Sequence, residues 1–264
     1  MSLTMGSIAP LGRPTGGTLN IELPSAPAHL LFVHGLDRRI RGQVGDVTVV
    51  DTTAARMLHE TRMLPRWYFP SAGVRTDLLR PSSTTSHCPF KGDARYWDLV
   101  AGDRAVHDAF WEYPEAGAGA PDLSGLLAPY TEKFDRWLEE EDEVHGHPRD
   151  PFHRVDVRRS AAHVVVRAGA EVVAESDDSL AVFETGLPTR WYLPAADVAQ
   201  DMLSPSQTRT TCPYKGEASY WSVDAGGARL ADVACAYQTP DPAAAALEGH
   251  LSFLGEGVGV EVTR

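Results

Sequence analysis

"HCPFKGDARYW", residues 87–97, returns as "TCPYKGEASYW", residues 211–221, in a chain of 264 residues that contains only three cysteines and three lysines. Extending this match outward at a constant offset of 124 aligns residues 45–113 with 169–237 without a gap, with 26 identities in 69 positions. Ten of those identities lie within the 17 residues 81–97. A period of this size is that of a whole domain, so the chain reads as two tandem copies and not as a solenoid.

The shared residues fall in three blocks. Glu60, Thr61, Arg66, Trp67, Tyr68 and Pro70 match Glu184, Thr185, Arg190, Trp191, Tyr192 and Pro194; Asp77 and Leu79 match Asp201 and Leu203. The opening motif, trailed by Asp108 and Tyr113, matches its copy trailed by Asp232 and Tyr237. Between the copies, "EEEDEVHGHPRDP" (139–151) is an acidic run followed by Gly and two Pro, the composition of a boundary. The expected organisation is a flexible N-terminal tail over 1–27, repeat one over 28–138, an acidic linker over 139–155 and repeat two over 156–264. His145, His147 and His153 fall in that linker, where solvation is expected in preference to metal binding.

Acidic residues outnumber basic ones by 36 to 24, giving a formal charge of -12. A general binder of phosphate backbones needs the opposite balance, so no nucleic-acid partner is expected. No apolar run approaches the roughly 18 residues of a membrane span, and the N-terminus lacks the order of a secretion signal. Three cysteines without close spacing predict neither a disulfide framework nor a zinc site, which points to a reducing cytoplasm. Of the 24 basic residues, 21 are arginines, which makes each lysine informative.

Valine-rich stretches at 47–51 and 162–175 predict strands, as do "RWYFP" (66–70), "RWYLP" (190–194) and the segments 94–100 and 218–223. Residues 54–60 and 179–185 suit a strand or a helical turn equally. The clearest helical period lies in 123–141, where Leu123, Leu126, Leu127, Phe134, Trp137 and Leu138 form one stripe interrupted at Pro129. A shorter counterpart lies at 242–254. The expected fold class is mainly β (α+β), a tandem duplication of a small β-rich domain with one or two short helices per copy.

Proline suits the second position of a tight turn, so Cys88-Pro89-Phe90-Lys91 and Cys212-Pro213-Tyr214-Lys215 are expected to be four-residue turns. Gly92 and Gly216 behind them are free to take φ > 0. Lysine beside a thiol favours the thiolate, whereas lysine beside turn amides holds a phosphate or carboxylate. Arg66 and Arg190 add a guanidinium fork and Thr84 and Thr208 add hydroxyls. The paired acids Glu60/Glu184, Asp77/Asp201 and Asp108/Asp232 fit acid or base chemistry, an arginine partner or a turn cap. Glu60, six residues before Arg66, is the best placed for a site, with arginine pairing the favoured role. The bland alternative is a structural corner, with the cysteine a small buried apolar residue and the lysine lying along an aromatic ring. The cysteine fits that alternative better, because His87 becomes Thr211 and leaves repeat two without a base; the lysine fits function better. Trp67, Trp97, Trp191 and Trp221 are expected in the core.

These blocks, "ET…RWYFP" with "CPFKGDARYW" and "ET…RWYLP" with "TRTTCPYKGEASYWSV", resemble the bacterial family known as domain of unknown function 427, also labelled nucleotidyltransferase-like. That family is built around a Thr-x-Cys-Pro-Tyr-Lys-Gly-x-Ala-x-Tyr-Trp core. Repeat two follows it more closely, whereas repeat one departs at Ser86, His87 and Phe90. The resemblance implies a small, compact β-rich fold of the β-tent type. Zinc-binding relatives of that fold use paired cysteines, which are missing here, so no structural zinc is expected. The nucleotidyltransferase label implies a metal and a nucleotide, yet neither a Gly-rich phosphate loop followed by Lys-Ser/Thr nor a paired acidic motif of the polymerase kind is present. No cofactor is therefore expected.

The function expected is binding of, or action on, a small anionic or nucleotide-like ligand in a pocket at the turn of each repeat. Lys91, Lys215, Arg66, Arg190, Tyr68, Tyr192, Thr84, Thr208, Glu60 and Glu184 are the candidate ligand-binding residues, and Cys88 and Cys212 the candidate thiols. The alternative is a non-catalytic interaction or scaffold module in which the motif is a corner. Duplication leads to the further expectation that the two repeats pair as an intramolecular pseudo-dimer.

Overall fold

The computed structural model describes residues 29–264, so the tail expected over 1–27 lies outside the described residues. The chain divides into two units between Asp150 and Pro151.

The first unit runs through β1 (Leu31–Gly35), β2 (Ile40–Val44), β3 (Val47–Thr52), β4 (Arg56–Glu60), β5 (Arg66–Pro70), β6 (Leu79–Cys88), β7 (Gly92–Ala101), β8 (Arg104–Glu112), β9 (Leu126–Pro129), β10 (Arg136–Glu139) and β11 (Asp142–Glu143). Seven of these form a sheet in the order β1-β4-β5-β9-β8-β7-β6, and a smaller sheet has the order β11-β10-β2-β3. The second unit continues with β12 (Val155–Ser160), β13 (His163–Ala168), β14 (Glu171–Ser176), β15 (Ser179–Glu184), β16 (Arg190–Pro194), β17 (Leu203–Cys212), β18 (Gly216–Ala225), β19 (Ala228–Tyr237), β20 (His250–Phe253) and β21 (Val258–Thr263). Its sheets, β12-β15-β16-β20-β19-β18-β17 and β14-β13-β21, repeat the plan of the first unit, as the duplicated sequence requires. No helix among the described residues is long and apolar enough to cross a membrane.

Alternate residues of a strand face opposite ways, and this sorts each large sheet into two faces. In the first unit Met57, Trp67, Phe69, Phe110 and Leu127 pack against Ile40, Val50 and Trp137 of the small sheet. The opposite face holds Leu58, Tyr68, Ala94, Trp111, Tyr113 and Ala128. The second unit divides in the same way, with Leu193, Val223, Ala234 and Leu251 against Val164 and Val166, and with Leu180, Tyr192, Ala218 and Tyr237 on the far face under Ala244 and Leu247. Trp67 is in the core, and Trp97, Trp191 and Trp221 pack at its margins.

The helix expected over 123–141 does not form. Leu126 and Leu127 belong to β9 and Trp137 and Leu138 to β10, the two strands being joined through a short 3-10 turn at Thr131–Lys133, while Leu123 and Phe134 lie outside them. β9 lies at the centre of the large sheet, and all four of its residues are buried. A strand covered on both faces reads as an unbroken apolar run, and the run "LLAP" imitates a helical stripe. Likewise Pro242–Leu247 is a 3-10 helix and His250–Phe253 is β20, so the short helices among the described residues are 3-10 segments and none is α-helical. Residues 54–60 and 179–185 contribute β4 and β15. The acidic stretch beginning at 139 opens as a hairpin, with Leu138 opposite Glu143 and Glu139 opposite Asp142.

Each copy of the opening motif is a tight hairpin turn. The Lys91 amide donates to the Cys88 carbonyl at 3.3 Å, and the Lys215 amide to the Cys212 carbonyl at 3.3 Å. Gly92 and Gly216 follow with φ of +101° and +98°. The incoming chain also crowds them, and the Lys91 and Lys215 carbonyls accept from the Gly117 amide at 2.9 Å and the Asp241 amide at 3.1 Å. A Cβ on Gly216 would lie 3.2 Å from the Thr239 carbonyl oxygen and 3.3 Å from the Asp241 nitrogen. Replacing Gly216 by Ala should therefore destabilise the protein by about 1–3 kcal/mol in denaturant unfolding, through left-handed backbone strain and crowding together.

Candidate functional site

Three residues spaced 31 apart meet at one point in each unit. In the second, His153 Nε2 and Lys215 Nζ reach the two oxygens of Glu184 at 3.1 and 2.5 Å. In the first, His29 Nε2 lies 2.9 Å from Glu60 Oε1, and Lys91 Nζ donates to Glu60 Oε2. The lysine side chains are only 10% and 6% exposed, so they are not solvated charges. Their ammonium groups also lie 5.7 Å from the Tyr113 ring centroid and 5.8 Å from that of Tyr237, within cation–π range. Each histidine stacks on the aromatic residue of the turn, His29 on Phe90 at 3.6 Å and His153 on Tyr214 at 4.2 Å between ring centroids.

Local chemistry explains why the sequence holds this group together. Thr61 and Thr185, next to the glutamates, accept from the Leu30 amide at 2.8 Å and the Arg154 amide at 2.9 Å through their hydroxyls, which pins the segment carrying each histidine. Burial raises the Glu184 carboxyl, but the His153 hydrogen bond and the charge and hydrogen bond of Lys215 outweigh it and hold the group at about 2, against an ordinary 4.5. Burial also pushes the phenols of Tyr68, Tyr113, Tyr192 and Tyr237 well above their ordinary value, and with help from Tyr96 it moves Tyr130 to about 12. These phenols stay protonated and can only donate to an anion.

Beside the Glu60–Lys91 pair is a cavity of about 280 Å³ whose lining includes Arg66, Tyr68, Tyr96, Trp111, Tyr113 and Tyr130. The Arg66 guanidinium sits 5.9 Å from the Trp111 ring centroid. Its nearest carboxylate, Glu132, is 3.9 Å away with a side chain 62% exposed.

Of the residues singled out in the sequence, Glu60, Arg66, Tyr68 and Lys91 come together at this cavity. In the second unit Glu184 meets Lys215, and Arg190 lies beside Tyr192. Thr84 and Thr208 are engaged elsewhere: their hydroxyls donate to Asp108 at 2.8 Å and Asp232 at 2.6 Å. Those aspartates have φ of +49° and +54°, so Thr and Asp form a brace at a sheet irregularity. Cys88 and Cys212 pack into the apolar clusters of the site face, and the His87 ring is bonded to Asp93 at 2.6 Å on the surface. Asp77 makes a two-pronged pair with Arg75. The arginine partner expected for Glu60 is replaced by Lys91, while Arg66, opposite Leu58 in the ladder, pairs with Glu132.

Sequence reasoning missed His29 and misassigned His153 to a solvated linker. The signal was available, since the same offset of 124 carries His29 onto His153, beyond the region of dense identity. Away from the site, Asp98, His107 and Asp108 bring ligand-type atoms within 4.8 Å of one another. They are already committed, with His107 bonded to Asp98 at 2.8 Å and Asp108 accepting from Thr84.

A family model described as Domain of unknown function (DUF427) matches residues 33–140 and again 156–264. No curated protein matches the chain.

The depressed Glu184 carboxyl sets a pH dependence. A carboxyl whose folded value lies below its unfolded one stabilises the fold above about pH 4.5 and loses that contribution as pH falls towards 2. The shift from 4.5 to about 2 corresponds to roughly 3 kcal/mol. Unfolding free energy measured from pH 6 to pH 2 should fall steeply for the native sequence and less steeply for Glu184→Gln.

Proposed function

Because the chain belongs, twice over, to the DUF427 family, whose description assigns no activity, we propose a function from the site itself: the protein binds a small organic anion carrying a planar ring at the cavity beside Lys91. Charge arithmetic carries the proposal. Glu60 and Lys91 neutralise each other, which leaves Arg66, loosely paired with the exposed Glu132 at 3.9 Å, as the cation at a cavity rich in phenol donors. A carboxylate or phosphate suits the guanidinium fork and the Tyr hydroxyls, and a flat ring suits the Trp111 and Tyr130 rings, 4.6 Å apart between centroids. The volume of about 280 Å³ is near the lower bound of ligand sites, so a monocyclic acid fits within it and a whole nucleotide would protrude.

The lysine then belongs to the frame of the site, and Arg66 is the residue that meets the ligand. The closed Lys–Glu–His group favours the corner reading for the motif, but that reading leaves Arg66 and the aromatic cavity without a role. The proposal includes a soluble cytoplasmic setting, no nucleic-acid partner, and the two units acting as a covalent pseudo-dimer; small-angle scattering that fits freely jointed units would remove that last element.

Benzoate, inorganic phosphate and nucleoside monophosphates, titrated calorimetrically into the intact chain, test the binding. Benzoate should bind and raise the melting temperature, and Arg66→Gln should weaken it by about tenfold or more while leaving the melting temperature without ligand nearly unchanged. Failure of all three probes to bind, or undiminished benzoate affinity in Arg66→Gln, overturns the proposal.

A further inference from the structure

The two units keep the charged half of the site and differ in its floor. Glu, Arg, Tyr and Lys recur as Glu184, Arg190, Tyr192 and Lys215. At the same offset, however, Trp111, Ala128 and Tyr130 become Cys235, Ser252 and Leu254. The ladder confirms the equivalence: Trp111 is opposite Ala128 in the first unit, and Cys235 is opposite Ser252 in the second. Tyr192 is also opposite Ser252, and Tyr220 is opposite Cys235, so these four side chains make one cross-strand row on the site face.

The replacement removes the Trp111–Tyr130 ring contact and introduces a buried hydroxyl, that of Ser252, with nothing to bond. Ser252 is 1% exposed and its hydroxyl makes no hydrogen bond within the described residues, whereas the buried Tyr192 hydroxyl faces the Arg190 guanidinium. A buried hydroxyl without a partner is destabilising, and a ligand hydroxyl or carboxylate oxygen would satisfy it. Tyr192 lies close enough to Arg190 to feel its charge. An anion taken by Arg190 would therefore present its next atoms to this row.

We propose that the two sites have diverged in specificity, the second accepting a short hydroxylated aliphatic acid where the first accepts a ring-bearing one, with Ser252 as the residue that decides. The proposal rests on the anion-binding reading given above. In the second site Arg190 holds the carboxylate, and Ser252 with Tyr192 hydrogen-bonds the hydroxyls of the ligand. The shorter Cys235 side chain leaves the depth that an indole fills in the first.

Glycerate and benzoate are the probes, titrated into the intact chain and into Arg66→Gln, Arg190→Gln and Ser252→Ala. Glycerate affinity should drop about tenfold or more in Arg190→Gln and in Ser252→Ala but persist in Arg66→Gln, whereas benzoate affinity should drop in Arg66→Gln. Ser252→Ala should melt at or slightly above the native temperature, since it removes an unbonded hydroxyl, and that confirms the variant is folded. Glycerate affinity unchanged in Ser252→Ala, or glycerate and benzoate following the same arginine, overturns the divergence and leaves the anion-binding reading intact. Absence of binding by both acids to the native chain overturns that reading and the divergence with it.

Discussion

A lysine ammonium withdrawn from water must have an anion beside it, and in each unit that anion comes from a distant strand. Glu60 ends β4 and Lys91 closes the β6–β7 turn, with β5, β9 and β8 between β4 and β7 in the sheet order. Four strand spacings in a flat sheet amount to roughly 19 Å, more than a Glu–Lys contact can span. The ion pair therefore requires the face bearing Tyr68 and Trp111 to be concave, and the same holds for Glu184 and Lys215 in the second unit. Buried pairs of this kind contribute little net stability against apolar substitutes, but losing one member leaves a stranded charge. Their work here is geometric, since they fix the curvature that creates a hollow at all.

Within that hollow, division of labour follows from which side chains are already satisfied. The histidine, glutamate and lysine are bonded to one another and hold the turn against the strand. The face turned towards the smaller sheet is apolar in both units, with larger side chains in the first: Phe69 and Phe110 stand where the second has Leu193 and Ala234. On the floor of the hollow the two units differ in chemistry as well as in size: an indole and a methyl in one, a thiol and a hydroxyl in the other.

The duplication, the mainly β class, the tight turns and the meeting of Glu60, Arg66, Tyr68 and Lys91 at one cavity were legible from the sequence because each rests on local composition or on the offset of 124. What was not legible rests on register. Arg66 and Glu60 line the same cavity, yet the glutamate pairs with a lysine 31 residues away, brought in from another part of the sheet. Thr84 and Thr208 stand near the motif but belong to a brace with aspartates 24 residues on. The run "LLAP" imitates a helix because a central strand shows no alternation when both faces are covered. His29 escaped because only scattered identities remain around it, although the offset passes through it.

The late arrival of the central strand affects how the chain assembles. β5 and β8 face an open slot until β9 enters, and the Phe69–Leu127 contact closes a loop of 58 residues. β16 and β19 leave a similar slot for β20. Two slots of the same pattern in one polypeptide invite strand exchange, a characteristic failure of repeated domains. In ribosomal synthesis β9 at 126–129 exists before β12 begins at 155, so the first slot has its own strand before a competitor is made. Refolding from denaturant removes that order, so nascent and renatured chains face different odds of filling each slot correctly.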